Sequence, residues 1–271
     1  SGFGLLIAIE LAGRGRRVLA GLRRLERAAA LLGEADAAGV RDRIDIVRLD
    51  VDEPEEIAAC IAYAQHTYGR LDTLVNNAGF AVGGFVEEVP MEAWRAQLET
   101  NFFGAVALTR AVLPLMRERR AGTIIQIGSI SGRIAFPGYG PYAASKFALE
   151  GFTESLRHEM APYGVRVLLV EPGAYRTAIW DKGLDGIHRK PDSPYAAALS
   201  GMLAYSAQAA ASAPDPIEVA RLVAALASGK GGGRLRHPIG RGARALLIAR
   251  ALVPWRLLEA AVRRALAAKR R

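Results

Sequence analysis

With one cysteine, Cys60, in 271 residues, the chain has no internal disulfide framework. A lone thiol of this kind reads as a packing residue on a helix and suits a reducing, cytoplasmic compartment. Histidine is scarce too: His66, His158, His188 and His237 show no metal-ligand spacing, so no metal site is expected. No apolar run approaches the roughly eighteen residues that a membrane span requires. Acid is nearly missing from one end only. Gly231 to Arg271 holds eleven Arg/Lys and one Glu, while the preceding 230 residues hold 25 basic and 26 acidic residues. The net charge of +9 therefore belongs to the C-terminal tail. No nucleic-acid module accompanies it, so a nucleic-acid partner is not expected. What is plentiful is apolar residues, 51% of the chain, and glycine, 29 of them, enough for one sizeable α/β core.

The informative stretch runs from Ser129 to Lys146. Ser129 precedes Tyr142 by thirteen residues, and Lys146 follows Tyr142 by four, in a segment that reads as a helix from Ala143 to Met160. That spacing puts Tyr142 and Lys146 on one helix face, a turn apart. A phenol titrates near about 10. An ammonium beside it favours the phenolate and lowers that value. A phenol so tuned gives a proton to a carbonyl oxygen or takes one from an alcohol. Ser129 is then able to hydrogen-bond the same oxygen, with Ser131 as the rival hydroxyl.

Other segments fall in order around this one. Gly2 and Gly4 open a helix with apolar spacing at Leu5, Ile9 and Leu11, which Gly13 and Gly15 end before a short strand at Arg17–Ala20. Glycines at a helix mouth let a backbone approach a pyrophosphate, and the helix N-terminus favours its charge. The next turn is Gly21-Leu22-Arg23-Arg24. In nucleotide folds a carboxylate here takes the ribose 2′-hydroxyl, and an arginine takes a 2′-phosphate. Gly21 replaces the acid, so NADP(H) is favoured over NAD(H), with Arg23 as the first phosphate ligand. A strand at Ile44–Leu49 ends at Asp50-Val51-Asp52, where Asp52 reads as a helix N-cap. Another, Leu71–Val75, closes on Asn76-Asn77-Ala78-Gly79. A helix from Met91 to Met116 carries Asn101 in mid-course, where its side chain competes for backbone groups. Strands at Gly122–Gly128 and Val165–Val170 lead to Ser129 and to Glu171-Pro172-Gly173. Asp215-Pro216 starts a helix, and Pro238 confines Leu235–Ile239 to a sheet edge.

Taken together, these motifs resemble the short-chain dehydrogenase/reductase family from Ser1 to about Gly240, and most closely its steroid and retinol branch. The resemblance implies a Rossmann-type doubly wound parallel sheet with helices on both faces, residues 1–240 forming the domain and 178–215 its substrate lid. It also implies a first strand and first glycine ahead of Ser1, so the chain reads as N-terminally truncated, and two strands are expected to lack a ladder partner. By the same resemblance the catalytic residues are Asn101, Ser129, Tyr142 and Lys146, with Asn101 bending its helix and holding a water connected to the lysine. Lys146 also grips the ribose. Gly2, Phe3 and Gly4 line the pyrophosphate, Asp50 and Val51 the adenine, and Asn77, Ala78 and Gly79 the cofactor's inner edge. Pro172, Gly173 and Thr177 cover the nicotinamide. A homodimer or homotetramer is expected.

The reading is an NADP(H)-dependent oxidoreductase acting on a small apolar carbonyl or alcohol. The alternative is a dinucleotide-binding scaffold or sensor without turnover, against which the four filled catalytic positions argue. In the lid, Trp180, Tyr195, Met202 and Tyr205 either wall the substrate or pack the lid itself. Residues 241–271 read as a basic helical extension, Ala243–Ala251 and Trp255–Lys269. Leu258, Ala261 and Val262 lie on one face of the second helix, which either rests on an anionic membrane surface or packs on the body.

Overall fold

Short runs rich in Val, Ile and Leu form the strands other than the last, and the segments between them form the helices. The computed structural model describes residues 2–176, 186–231 and 233–267. The elements follow as α1 (Gly2–Gly13), β1 (Val18–Leu22), α2 (Ala28–Ala37), β2 (Ile44–Arg48), α3 (Pro54–Tyr68), β3 (Thr73–Asn76) and α4 (Met91–Leu98). Next come α5 (Gly104–Glu118), β4 (Gly122–Ile127), α6 (Gly140–Met160), β5 (Val165–Pro172), α7 (Ala196–Ala211), α8 (Ile217–Ala227) and β6 (Arg236–Ile239), then α9 (Ala243–Leu252) and α10 (Trp255–Ala267).

All strand pairings are parallel. One ladder is β1-β2 and the other β3-β4-β5-β6. Among the described residues no strand pairs β1 with β3, so each is bonded on one side only. Helices cover both faces, as the alternation in the strands requires. Ile125 and Ile127 of β4 and Leu168 and Val170 of β5 pack with Ile7 of α1 and Val219, Val223 and Leu226 of α8. Their neighbours Ile124, Val165 and Val167 face the other way, onto Val112 and Met116 of α5 and Leu156 of α6. Each such buried side chain contributes about 1.5–3 kcal/mol. A third cluster seats α1 and α2 on β2 through Ala8, Ala12, Leu31 and Ile44. Pro238 lies in the edge strand β6, which among the described residues pairs only with β5.

Two local expectations are corrected. The helix from Met91 to Met116 is interrupted: α4 and α5 are joined by a π-helical turn at Glu99–Phe103. Asp52 does not cap α3. Its carboxylate accepts from Thr100 Oγ1 at 2.7 Å, and Glu53 is the cap residue, without a side-chain bond to the helix. Asp215 does cap, taking the Ile217 amide at 2.9 Å.

Candidate active site

Parallel strands deliver their carboxyl ends to one rim of the sheet, the place where open α/β sheets bind ligands. Ser129 follows β4 directly and Pro172 ends β5; the Ser129 hydroxyl lies 3.5 Å from the Pro172 carbonyl and accepts from the Ser131 amide at 3.0 Å. Ser131 is thus a support for Ser129. Helix α6 begins at Gly140-Pro141, earlier than its apolar pattern suggests, so Tyr142 sits in the first turn. Lys146 is buried one turn on, its Nζ donating to the Ile127 carbonyl at the end of β4 at 2.8 Å. The ammonium lies 5.9 Å from the centre of the Tyr142 ring.

Burial holds the Tyr142 phenol above its ordinary value, with hydrogen bonding to Ser129 pulling the other way. Burial also lowers Lys146 to about 8. In the chain by itself, desolvation outweighs the hydrogen bond with Ser129.

Asn101 sits in the π-turn, a geometry concentrated at functional sites. Its side chain accepts from the Phe80 amide at 3.0 Å and donates to the Phe80 carbonyl at 3.0 Å and to Ser145 Oγ at 3.1 Å. Ser145 in turn donates to the Tyr142 carbonyl at 2.8 Å. The asparagine thereby couples the loop after β3 to the helix of Tyr142 and Lys146. Buried Gln97, one turn earlier, extends this lattice: it accepts from Val82 N at 2.7 Å and donates to Phe80 O at 2.8 Å. Sequence reasoning missed Gln97, although it shares a helix face with Asn101.

The residues expected at a dinucleotide fall along the same rim. Gly2, at φ 61°, starts α1, and the helix N-terminus it forms attracts anions. A Cβ on Gly4 would lie 2.7 Å from Asn77 Nδ2, and one on Gly79 would lie 3.0 Å from Asn101 Oδ1. Both glycines lie close against these amide side chains, and together they join the helix mouth to the Asn77-Ala78-Gly79 segment. Phe3 packs edge-on against Tyr175, ring centres 5.6 Å apart, which sets the mouth of α1 beside the turn after β5. Gly173 donates its amide to Ile239 at 2.8 Å. Arg23 Nε stands 4.0 Å from Asp50 Oδ2, so the expected phosphate and adenine ligands share one end. Val51 packs on Gly104, where a Cβ would meet it at 2.6 Å. Position 21 has no room for an acid: a Cβ there would lie 2.5 Å from Leu49 Cδ2. A glycine-lined helix mouth suits a dinucleotide's phosphates. Thr177 and Trp180 lie outside the described residues.

A second unforeseen cluster underlies the site. Glu171, which has no solvent-exposed surface, and buried Glu150 face each other across β5 and α6. Arg133 Nη1 approaches Glu171 at 3.5 Å, while Arg236 donates to Glu150 at 2.9 Å and also to Glu154. Burial and the Glu150 charge push Glu171 up to about 7. The signal was present: Glu150 follows Lys146 by four residues, as Lys146 follows Tyr142. In the lid region, Tyr139 and Ser206 hydroxyls lie 2.9 Å apart and Met202 is buried close to Gly138. Tyr195 stacks on Phe85 at 4.7 Å and Tyr205 on Phe136 at 6.3 Å. These lid side chains pack on their neighbours.

The short chain dehydrogenase family profile matches residues 1–186. The uncharacterized oxidoreductase YusZ of Bacillus subtilis is 43% identical over 98% of this chain and 95% of its own length. The 17-beta-hydroxysteroid dehydrogenase type 6 of Bos taurus is 41% identical over 67% of this chain and 56% of its own. Among solved structures, a short-chain dehydrogenase from Streptomyces avermitilis superposes with a TM-score of 0.78 at 33% identity, covering 96% of this chain and 94% of that one. A variant of actinorhodin polyketide ketoreductase with NADPH has a TM-score of 0.73 at 33% identity, covering 89% and 93%. With this rim, these strand ends and these relatives, the chain belongs to the short-chain dehydrogenase family.

Proposed function

We propose that the chain is an NADP(H)-dependent oxidoreductase that interconverts a small apolar carbonyl compound and its alcohol. The observation that carries this is the convergence of Ser129, Tyr142 and Lys146 at the carboxyl ends of β4 and β5, with Asn101 tied to the same helix. The bound nicotinamide supplies or accepts the hydride. Tyr142 gives the proton to the forming alkoxide, or takes it from the alcohol in the reverse direction. Ser129 holds the same oxygen and orients the carbonyl carbon. Lys146 grips the ribose hydroxyls, and its charge, retained at neutral pH with a value near 8, favours the phenolate. Asn101 holds the loop after β3 and a relay water.

Gly2, Phe3 and Gly4 would hold the pyrophosphate, Asp50 and Val51 the adenine, Asn77, Ala78 and Gly79 the inner edge, and Pro172, Gly173 and Thr177 the nicotinamide. Arg23 supports NADP(H) over NAD(H), because its guanidinium suits a 2′-phosphate and position 21 lacks an acid. The likeness to a ketoreductase that carries NADPH supports the same choice. The likeness to a hydroxysteroid dehydrogenase supports an apolar substrate, with residues 178–215 as lid. Assembly into a homodimer or homotetramer has exposed Phe103 and Phe147, and open space beside Gly151, available for contact.

The test is a panel of apolar ketones and aldehydes, steroids and retinoids included, with NADPH loss followed by absorbance for the chain and for Tyr142→Phe. Turnover of at least one member that falls by about 10²–10⁴ in the variant is expected. NADPH binding without turnover on any member would favour the scaffold reading, and a variant that keeps most of the rate would remove Tyr142 as proton donor.

A further inference from the structure

Exposed apolar bulk is concentrated at one corner. Of twelve large apolar side chains exposed among the described residues, four lie within ten positions: Ile248 (58% exposed), Leu252 (78%), Trp255 (61%) and Leu257 (61%). Ile248 and Leu252 stand one turn apart on the outer face of α9, whose inner residues Ala243 and Leu247 are buried. Beyond Pro254, Trp255 opens α10 and lies under the Arg250 guanidinium of α9, while Leu257, two positions on, points to another side of α10. Helix α10 meets the body through α7, with Leu258 and Val262 half-buried and the rest of its described surface open. Single exposed apolar residues need no explanation, but several gathered on adjoining helices mark an interaction surface.

Cations stand beside the cluster, Arg244 along the cleft that Ile248 also lines and Arg250 at Trp255. Residues 233–267 carry eight arginines and one glutamate. Arg241, Arg244, Arg250, Arg256 and Arg264 are exposed and form no ion pair among the described residues; Arg250 instead lies over the Trp255 ring at 5.2 Å. Beside the ridge, a cleft of about 550 Å³ is lined by Arg234, Arg244, Leu247, Ile248 and Ala251, which sets cationic and apolar walls together. A second copy of the chain is disfavoured as occupant, because the same positive surface would face itself. A polyanion such as nucleic acid would leave the apolar ridge in water. A bilayer with anionic headgroups satisfies both halves at once: acyl chains receive the ridge, and headgroups meet the arginines.

We propose that the α9–α10 corner is a peripheral docking surface for anionic lipid bilayers, with Ile248, Leu252 and Trp255 entering the interface and the neighbouring arginines binding headgroups. Because α10 packs on α7, the docked surface borders the lid region. Docking itself does not depend on the reaction proposed above, and its test uses no turnover.

The full chain is sedimented with vesicles of phosphatidylcholine alone and of phosphatidylcholine mixed with phosphatidylglycerol. Binding to the mixed vesicles, weak binding to the neutral ones, and release by high salt are expected. Arg244→Gln/Arg250→Gln/Arg256→Gln lowers binding about a hundredfold, at roughly fivefold per arginine near an anionic surface. Leu252→Glu/Trp255→Glu abolishes it. These side chains are exposed, so both variants keep the wild-type circular dichroism and melting temperature. Equal binding to both vesicle types, no binding to either, or apolar variants that bind like wild type would overturn the proposal. So would apolar variants that alter only the mass of the protein in lipid-free solution, which would assign the corner to self-association. Salt release and the neutral-vesicle comparison are read on the wild-type chain and stand even if a variant misfolds.

Discussion

Tyr142 and Lys146 sit one helical turn apart, and burial acts on both toward the neutral form. The phenol's tuning therefore rests on the hydrogen bond with Ser129 and on the Lys146 charge proposed to favour the phenolate. Specificity for that dinucleotide rests on another single side chain. Arg23 is more than half exposed and only 4.0 Å from Asp50, so it is free to turn toward a phosphate. A hydrogen bond to a charged group contributes about 1.5–3 kcal/mol, or roughly tenfold or more in affinity. Arg23→Glu should weaken NADPH by at least that factor while NADH changes less, as read by fluorescence titration of both cofactors. An unchanged ratio would move the preference to other residues, Arg24 first. The absence of an acid at position 21 was legible in the sequence; its cause, the contact between Gly21 and Leu49, was not, because the two residues meet only when β1 and β2 pair.

Between elements, two polar lattices hold the reacting side chains in register. The first runs from Phe80 through Asn101 to Ser145, joining the loop after β3 to the π-turn and to α6. Asn101→Ala would leave the Phe80 amide without its partner and remove a buried bridge. A loss of about 1–3 kcal/mol in urea unfolding is expected, together with a fall in turnover. The second lattice is the Glu150–Glu171 carboxyl pair with Arg133 and Arg236, which ties α6 and β5 to the loop after Ser129 and to β6. Glu171 titrates near 7 when folded, against 4.5 as its ordinary value. The folded state thus holds a proton that the unfolded chain has released between those values. Stability from this group is fully present below about pH 4.5 and declines as pH rises through about 7. Arg133, Arg236, Glu150 and Glu154 face or border the group and set the size of the effect. In Glu171→Gln the neutral form is permanent, so the decline of melting temperature across this window should flatten. An identical pH profile in the variant would show that the carboxyl is not protonated in the fold. The i, i+4 step from Lys146 to Glu150 was visible in the sequence, but its partner Glu171 is brought across by the sheet.

At the level of the whole molecule, the expected cofactor residues are divided between the two ladders. Arg23, Asp50 and Val51 follow β1 and β2, while Asn77, Ser129, Pro172 and Gly173 follow β3, β4 and β5. Among the described residues these ladders share no strand-to-strand hydrogen bonds, and α1 contacts both β1 and α8. A ligand spanning the rim therefore links parts of the chain that are otherwise joined by packing. NADPH at one hundred times its dissociation constant should stabilise the fold by about 2.7 kcal/mol, seen as a rise in melting temperature that NADH at the same concentration does not match. No rise with either would argue that the rim does not bind a dinucleotide.

Local patterning determined the element types, the parallel α/β class and the family: strand runs, glycine punctuation and the Ser129, Tyr142 and Lys146 spacing are all short-range features that a sequence displays directly. It also showed the tail to be basic and helical, because charge and helical period are properties of contiguous residues. Tertiary structure decided what those features touch. It gave the bend expected at Asn101 the form of a π-turn, and it gave Asp52 to Thr100 instead of α3. It turned burial into the dominant influence on Tyr142 and set Glu171 beside Glu150. It also left Leu252 and Trp255 in water while it buried Leu247. The physical reason is the same in each case. Desolvation and pairing depend on which distant segments exclude water from a group, and spacing along the chain carries no record of that.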